Sequence, residues 1–313
     1  MAKPVEYNAT LVERVDLTPA LSIFSIRPDE PLEGDPIFLP GQYTTIGLNN
    51  EEKPELGSVR RPMSIASAPE SGRQLDFYIR WVKYPESDNP LTHLLWKTRA
   101  GDRIYMRTKA VGKFTMEDTV TARDPRMRVT VAAGTGLAPF LSMVRSVVSK
   151  DPKADLSRWA ILHGASYPDD LGFREELEQM ASENSLHYFC SISRPKEASD
   201  WTGDTGRAED FFLPERLSEL DERLGLGPEG LNPENVVIFI CGLQGTIGQT
   251  IIRLAPRGFV PETRKLRRAL EIPDEVESSL FFEQYDTTPV IPLDDDDLMA
   301  TLRAQIRTAV YSG

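Results

Sequence analysis

The sequence predicts a two-domain α+β protein, an antiparallel Greek-key β-barrel followed by a doubly wound parallel α/β domain. Three observations carry this. The first third holds short apolar runs separated by Pro- and Gly-bearing turns. After Arg123-Asp124-Pro125, apolar strand candidates alternate with helical stretches. The length of 313 residues suits two domains at about 150 residues each.

In the first third, Leu21–Ile26, Tyr43–Leu48 and Leu75–Val82 read as strands. The run Leu75-Asp76-Phe77-Tyr78-Ile79-Arg80-Trp81 alternates broadly, as a strand with one buried face does. Several such strands within about 115 residues fit a barrel. Beyond them, Met127–Ala133, Trp159–His163, Leu186–Ile192 and Val236–Cys241 are strand candidates, and Ala138–Val148, Phe173–Ala181 and Ala208–Leu220 are helical candidates. The expected domains are residues 1–120, 124–286 and a C-terminal extension, 287–313. In the extension, Leu298, Leu302, Ile306 and Val310 recur every four residues behind the acidic run Asp294–Asp297. That spacing stripes one helix face, and aspartates suit a helix N-terminus by capping and dipole.

Lys and Arg number 36 against 48 Asp and Glu, a formal charge of −12. General binding to nucleic acid or anionic lipid needs a broad basic face, so neither is expected. The two cysteines, Cys190 and Cys241, are too few for an iron–sulfur cluster or a disulfide framework, and no metal site is expected. Met1–Val15 lacks the apolar run of a secretory signal, and no stretch approaches the roughly 20 apolar residues of a membrane span. The expectation is a soluble, cytoplasmic protein. Nothing in the sequence specifies its oligomeric state.

Two clusters carry chemistry. Gly134-Thr135-Gly136-Leu137-Ala138-Pro139 follows a strand candidate and opens a helical one. Glycines let backbone approach a diphosphate, and a helix start offers unpaired N–H groups. A plain tight turn remains the alternative. In Arg60-Arg61-Pro62-Met63-Ser64 an arginine could pair with a diphosphate bidentately and Ser64 could hydrogen-bond a redox ring, or the arginines could simply face solvent before an edge strand.

Arg-x-x-Ser, then Gly-Thr-Gly-Leu-Ala-Pro-Phe about 70 residues on, then Cys241-Gly242 ending a late strand, together resemble the ferredoxin–NADP(+) reductase family. Gly41-Gln42-Tyr43 and Gly112-Lys113-Phe114 also resemble family segments. The resemblance implies FAD on the barrel, with Arg61 at the diphosphate, Ser64 at the isoalloxazine N5, Pro62 and Met63 beside them, and Thr92 of Asn89-Pro90-Leu91-Thr92 at the diphosphate. It implies NADP(H) on the second domain, held by Gly134, Thr135, Gly136 and Gly242, with Cys241 near the nicotinamide. Phe282-Glu283-Gln284-Tyr285 resembles the terminal segment, which implies that Glu283 positions nicotinamide or relays protons and Tyr285 stacks on the flavin. On this resemblance Ser64, Cys241 and Glu283 are the catalytic candidates.

Ser193-Arg194 and Arg207 resemble positions that bind the NADP 2′-phosphate, while Ser166 stands where a third arginine is common. NADPH is therefore expected over NADH by a reduced margin. Three other departures are Met63 for a tyrosine, Asn89 for a glycine, and 28 residues beyond Tyr285. That extension could cover the flavin, contact a partner or pack on the nucleotide domain. Arg264-Lys265-Leu266-Arg267-Arg268 is either a docking patch for an acidic carrier or a solvated helix face. The expected activity is electron exchange between NADPH, FAD and a separate ferredoxin or flavodoxin. A reductase component for an oxygenase or other acceptor and a non-catalytic flavoprotein relay or sensor are the alternatives.

Overall fold

The computed structural model describes residues 3–121 and 123–311. It divides into two units, the described residues of Met1–Thr121 with Ala138–Ala154, and those of Ala122–Leu137 with Asp155–Gly313.

The first unit contains β1 (Ala9–Thr18), β2 (Leu21–Pro28), β3 (Tyr43–Asn49), β4 (Ser58–Ser64), β5 (Leu75–Arg80) and β6 (Arg103–Met106). They form one antiparallel sheet in the order β4-β3-β6-β1-β2-β5. Its outer strands meet where the Ala66 N–H, just past β4, donates to the Asp76 carbonyl of β5 at 2.8 Å. This contact rolls the sheet around a core of Leu11, Phe24, Ile46, Phe77 and Ile104, all fully buried. Burial of these apolar side chains is the main drive for closing the barrel.

Three helices complete the unit: α1 (Leu91–Leu95), α2 (Met116–Thr119) and α3 (Ala138–Lys150). Thr115 caps α2 by accepting from the Asp118 N–H at 3.1 Å. The sequence places α3 in the nucleotide domain, yet it clusters with the barrel. Ser142 Oγ donates to the Ser67 carbonyl at 2.7 Å and Arg145 Nη1 to the Ala66 carbonyl at 3.0 Å.

The second unit is built on β7 (Met127–Ala133), β8 (Trp159–Ala165), β9 (His187–Ile192), β10 (Asp204–Thr205), β11 (Val236–Gly242) and β12 (Leu280–Gln284). These are parallel, in the order β10-β9-β8-β7-β11-β12. The chain winds outward from β7 one way and then resumes on its other side at β11. Ligands of such sheets bind at the carboxyl ends of the strands that flank this reversal. Every residue of β11 is buried, as a strand covered on both faces requires.

Its helices are α4 (Arg174–Asn184), α5 (Pro214–Leu224), α6 (Gln244–Leu254), α7 (Arg264–Ala269) and α8 (Asp296–Tyr311). The continuous helix expected over 208–220 is instead a 3₁₀ turn, Ala208–Phe212, followed by α5. Pro214 disfavours helical backbone at the residue before it, and Leu213 is extended, with ψ of 140°. The tail packs on this unit: Met299, Leu302 and Ile306 of α8 join its core, and Arg303 Nε donates to the Ala269 carbonyl at 2.8 Å. Ahead of α8, Val290 and Ile291 are buried, and the Val290 carbonyl lies against Gly248 of α6. No described helix is long and apolar enough to cross a membrane.

Candidate functional site

On the barrel, register and alternation sort the Arg60–Ser64 cluster. Arg61 pairs with the fully buried Ile46 and Met63 with the buried Thr44, so these two share a face of β4. Pro62 and Ser64 share the other face with Arg60. Pro62 is tolerated because β4 is an edge strand with no ladder bond to lose on its outer side. Arg60 and Arg61 are separated by their surroundings. Arg60 crosses Gly47 to place its guanidinium 5.9 Å from the centroid of Tyr105. Arg61 stays exposed, its Nη1 donating to the adjacent Arg60 carbonyl at 2.9 Å. Met63 packs at the margin of the barrel core, and Ser64 is buried at the strand's end.

Thr92 stands on α1, which lies against β3 and β4, so the fold brings Thr92 to the strand that carries Arg61. Its Oγ1 accepts from the Val82 N–H at 3.4 Å. Asn89, in the place of a glycine, is fixed by its side chain: its Oδ1 accepts from Asn50 Nδ2 at 2.9 Å. The two further family-like segments are bonded to each other, with Gln42 Nε2 donating to the Gly112 carbonyl at 3.1 Å.

In the second unit, Gly134–Leu137 forms a 3₁₀ turn after β7 that leads directly into α3. Gly136 is required by close approach: a Cβ there would sit 2.1 Å from the Cys241 carbonyl oxygen. Gly134, by contrast, has φ of +55° and nothing within 4 Å of the position its Cβ would take. The turn is thus pinned against β11 at Gly136 and open at Gly134, which fits a cradle for a diphosphate.

Cys241 and Gly242 end β11, and β12 runs beside them with Glu283 opposite Cys241 and Gln284 opposite Gly242. The fully buried Cys241 thiol donates to the Tyr285 hydroxyl at 3.3 Å. That hydroxyl donates in turn to the Thr135 carbonyl at 3.2 Å. Burial, reinforced by the nearby Glu283 carboxylate and opposed by the Tyr285 hydrogen bond, pushes the Cys241 thiol well above the ordinary thiol range. It remains a neutral thiol. The fold therefore gathers Thr135, Cys241, Gly242, Glu283 and Tyr285 at the carboxyl ends of β7, β11 and β12.

The other candidates lie at the far strand ends. Thr205 of β10 pairs with Ile192 of β9, so Arg194 and Arg207 leave neighbouring strands at the same level, two residues on. Ser193 N–H donates to the Ala165 carbonyl at 2.9 Å. Arg194 Nη1 donates to the Tyr167 hydroxyl at 2.7 Å, and that hydroxyl donates to Glu197 Oε2 at 2.8 Å. Arg207 is exposed, with its Nη1 3.9 Å from Glu209 Oε1. Tyr167 as the support of Arg194, and Glu209 beside Arg207, were not singled out as site residues by sequence reasoning. The acidic pair in Arg207-Ala208-Glu209-Asp210 was the available signal for Glu209.

Residues 130–250 match the family described as the oxidoreductase NAD-binding domain. Ferredoxin–NADP reductase B of Sorangium cellulosum is 30% identical over 210 residues, covering 67% of this chain and 76% of that protein. The chain belongs to the ferredoxin–NADP(+) reductase family. It is an oxidoreductase of that family. Another member, the ferredoxin–NADP reductase of Pseudomonas aeruginosa, is 26% identical over 247 residues, 74% of this chain and 86% of that one. Among solved structures, a ferredoxin NADP+ reductase from Neisseria gonorrhoeae with bound FAD and NADP superposes with a TM-score of 0.67 at 20% identity, covering 90% of this chain and all of the other. The two-sheet architecture is the fold of this reductase family.

Proposed function

We propose that the protein is an NADPH-dependent flavoenzyme that exchanges electrons with a separate ferredoxin or flavodoxin. The observation that supports it most strongly is the turn Gly134–Leu137, pinned at Gly136 by the Cys241 carbonyl and open at Gly134. NADPH supplies a hydride, and bound FAD converts that pair of electrons into single-electron steps.

The chain's own residues bind and orient. Arg61 gives a planar bidentate donor to the FAD diphosphate, with Thr92 as a hydroxyl donor on the adjoining helix. Ser64 offers one hydroxyl hydrogen bond at the flavin edge, and Met63 packs there through a polarisable sulfur in place of a phenol. Gly134, Thr135 and Gly136 present backbone to the NADP diphosphate. Ser193, Arg194 and Arg207 take the 2′-phosphate. Cys241, kept neutral by burial, provides a small apolar wall for the nicotinamide beside Gly242. Glu283, next to Cys241 on the neighbouring strand, positions the nicotinamide or holds a proton, and Tyr285 supplies the ring that stacks on flavin.

For the carrier, the basic segment narrows to three residues. Arg267 is buried and tied down, its Nη2 donating to the Pro273 and Val276 carbonyls, both at 2.6 Å. Arg264, Lys265 and Arg268 are exposed. Arg264 and Arg268 share their surface with Glu262, Asp274 and Glu277, which offset much of the positive field. Lys265→Glu with Arg268→Glu tests the docking assignment. Ferredoxin or flavodoxin reduction should slow at low ionic strength while NADPH oxidation by a small dye is unchanged; equal slowing of both would reject it. Cytoplasmic location completes the proposal.

A further inference from the structure

We propose that Glu209 is a specificity-determining residue that weakens the preference for the 2′-phosphate, so that NADH competes better than two arginines would allow. The proposal rests on the assignment of Arg194 and Arg207 to the 2′-phosphate given above.

Glu209 sits in the 3₁₀ turn Ala208–Phe212, whose neighbours Ala208, Phe211 and Phe212 are buried core. The turn is held against β8, since a Cβ on Gly164 would lie 2.6 Å from the Ala208 nitrogen. It is also fixed by Asp210, which accepts from the Arg207 N–H at 2.7 Å and pairs with Arg253 at 2.8 Å. The Glu209 carboxyl group is consequently only 1% exposed, and neither of its oxygens has a hydrogen-bond donor among the described residues. Its nearest cation is Arg207 at 3.9 Å, too far for a hydrogen bond, while the Arg207 side chain is 70% exposed.

This arrangement sets the Arg207 guanidinium between the Glu209 carboxyl group and an approaching phosphate. The guanidinium of Arg207 faces solvent, where a phosphate would approach, with a carboxyl group behind it. Water and salt screen exposed acids, but they do not surround a group on the buried side. The field of Glu209 therefore persists at the phosphate position and offsets Arg207 there. Ser166 contributes no charge to restore the balance. The ligand chemistry affected is the adenosine 2′-phosphate alone. A nucleotide with a plain 2′-hydroxyl has no charge at that position and is indifferent to Glu209.

The test is equilibrium binding of 2′,5′-ADP and of 5′-ADP to FAD-loaded wild type and Glu209→Gln, which keeps shape and removes charge. The variant should bind 2′,5′-ADP about five- to tenfold more tightly and 5′-ADP with unchanged affinity. Turnover should follow, with a lower KM for NADPH, an unchanged KM for NADH and unchanged kcat. In an Arg207→Gln background, Glu209→Gln should still tighten 2′,5′-ADP. Unchanged 2′,5′-ADP affinity would overturn the proposal. A selective loss would overturn it in the other direction, making Glu209 a support that orients Arg207. Equal loss for both ligands would mark a structural role and also overturn it. Wild type that binds neither ligand would instead bring down the underlying nucleotide reading, and this inference with it.

Discussion

A Cβ on Gly136 would meet the carbonyl oxygen of Cys241 at 2.1 Å, so the turn after β7 rests directly on the last residues of β11. That approach fixes the loop between the two strands that flank the reversal in sheet order, where a dinucleotide fold binds its ligand. Gly136→Ala should lower the thermal midpoint, since overpacking costs about 1–3 kcal/mol. It should also weaken NADP binding by at least about tenfold, 1.4 kcal/mol of lost binding energy. Wild-type NADP affinity in a folded variant would show that the backbone approach is dispensable.

His163 gives the protein an acid-side instability. Its ring is fully buried on β8 with Nδ1 3.1 Å from the Tyr188 hydroxyl. Burial pushes the imidazole down to about 4, with the Gly134 backbone opposing. Between pH 4 and the ordinary value of 6.5 the unfolded chain takes up a proton that the folded chain does not. Stability from this group is therefore complete above pH 6.5 and falls as pH drops toward 4, by about 3 kcal/mol in all. His163→Gln should flatten that part of the stability–pH curve in urea titrations. An unchanged slope would contradict the assignment.

Cys241 should be chemically quiet. A thiol that is fully buried and raised well above its usual range presents almost no thiolate. Alkylation with iodoacetamide at pH 8, followed by peptide mass analysis, should modify Cys241 only in denaturant. Rapid labelling of the folded protein would mean that the Cys241–Tyr285–Thr135 arrangement opens readily.

The C-terminal extension is part of the nucleotide unit's core. Leu302 is 1% exposed, and Leu302→Ala should destabilise the protein by about 2–5 kcal/mol. Gly248→Ala should also destabilise, because a Cβ there would lie 2.2 Å from the Val290 carbonyl oxygen. Deleting 287–313 should therefore lower the unfolding midpoint sharply. A deletion variant as stable as wild type would show that these contacts contribute nothing.

Much of this was written in the sequence, for physical reasons that differ by element. β11 is a continuous apolar run because a central parallel strand is covered on both faces, and β7 keeps enough apolar residues around Arg128 and Thr130 to read as a strand, so both were legible directly. The Gly134–Gly136 turn was legible because paired glycines after an apolar strand mark a tight turn, and Gly136 leaves no room for a Cβ. The two-residue β10 carries too little pattern to register, and the break at Leu213 is hidden within an amphipathic stretch that continues on both sides. The clustering of α3 with the barrel depends on long-range bonds from Ser142 and Arg145 that chain order does not encode. Arg267 reads as a surface charge, yet its guanidinium is consumed by backbone carbonyls of the following loop. For α8 the apolar stripe was visible, with Met299, Leu302 and Ile306 forming its most buried line.

The most direct test of the account is an anaerobic absorbance titration of the purified protein with NADPH and, separately, with NADH. The expected result is a yellow protein that NADPH bleaches at low concentration and NADH bleaches at higher concentration. A yellow protein that neither nucleotide bleaches, or a colourless one that cannot be reconstituted with FAD, would contradict it.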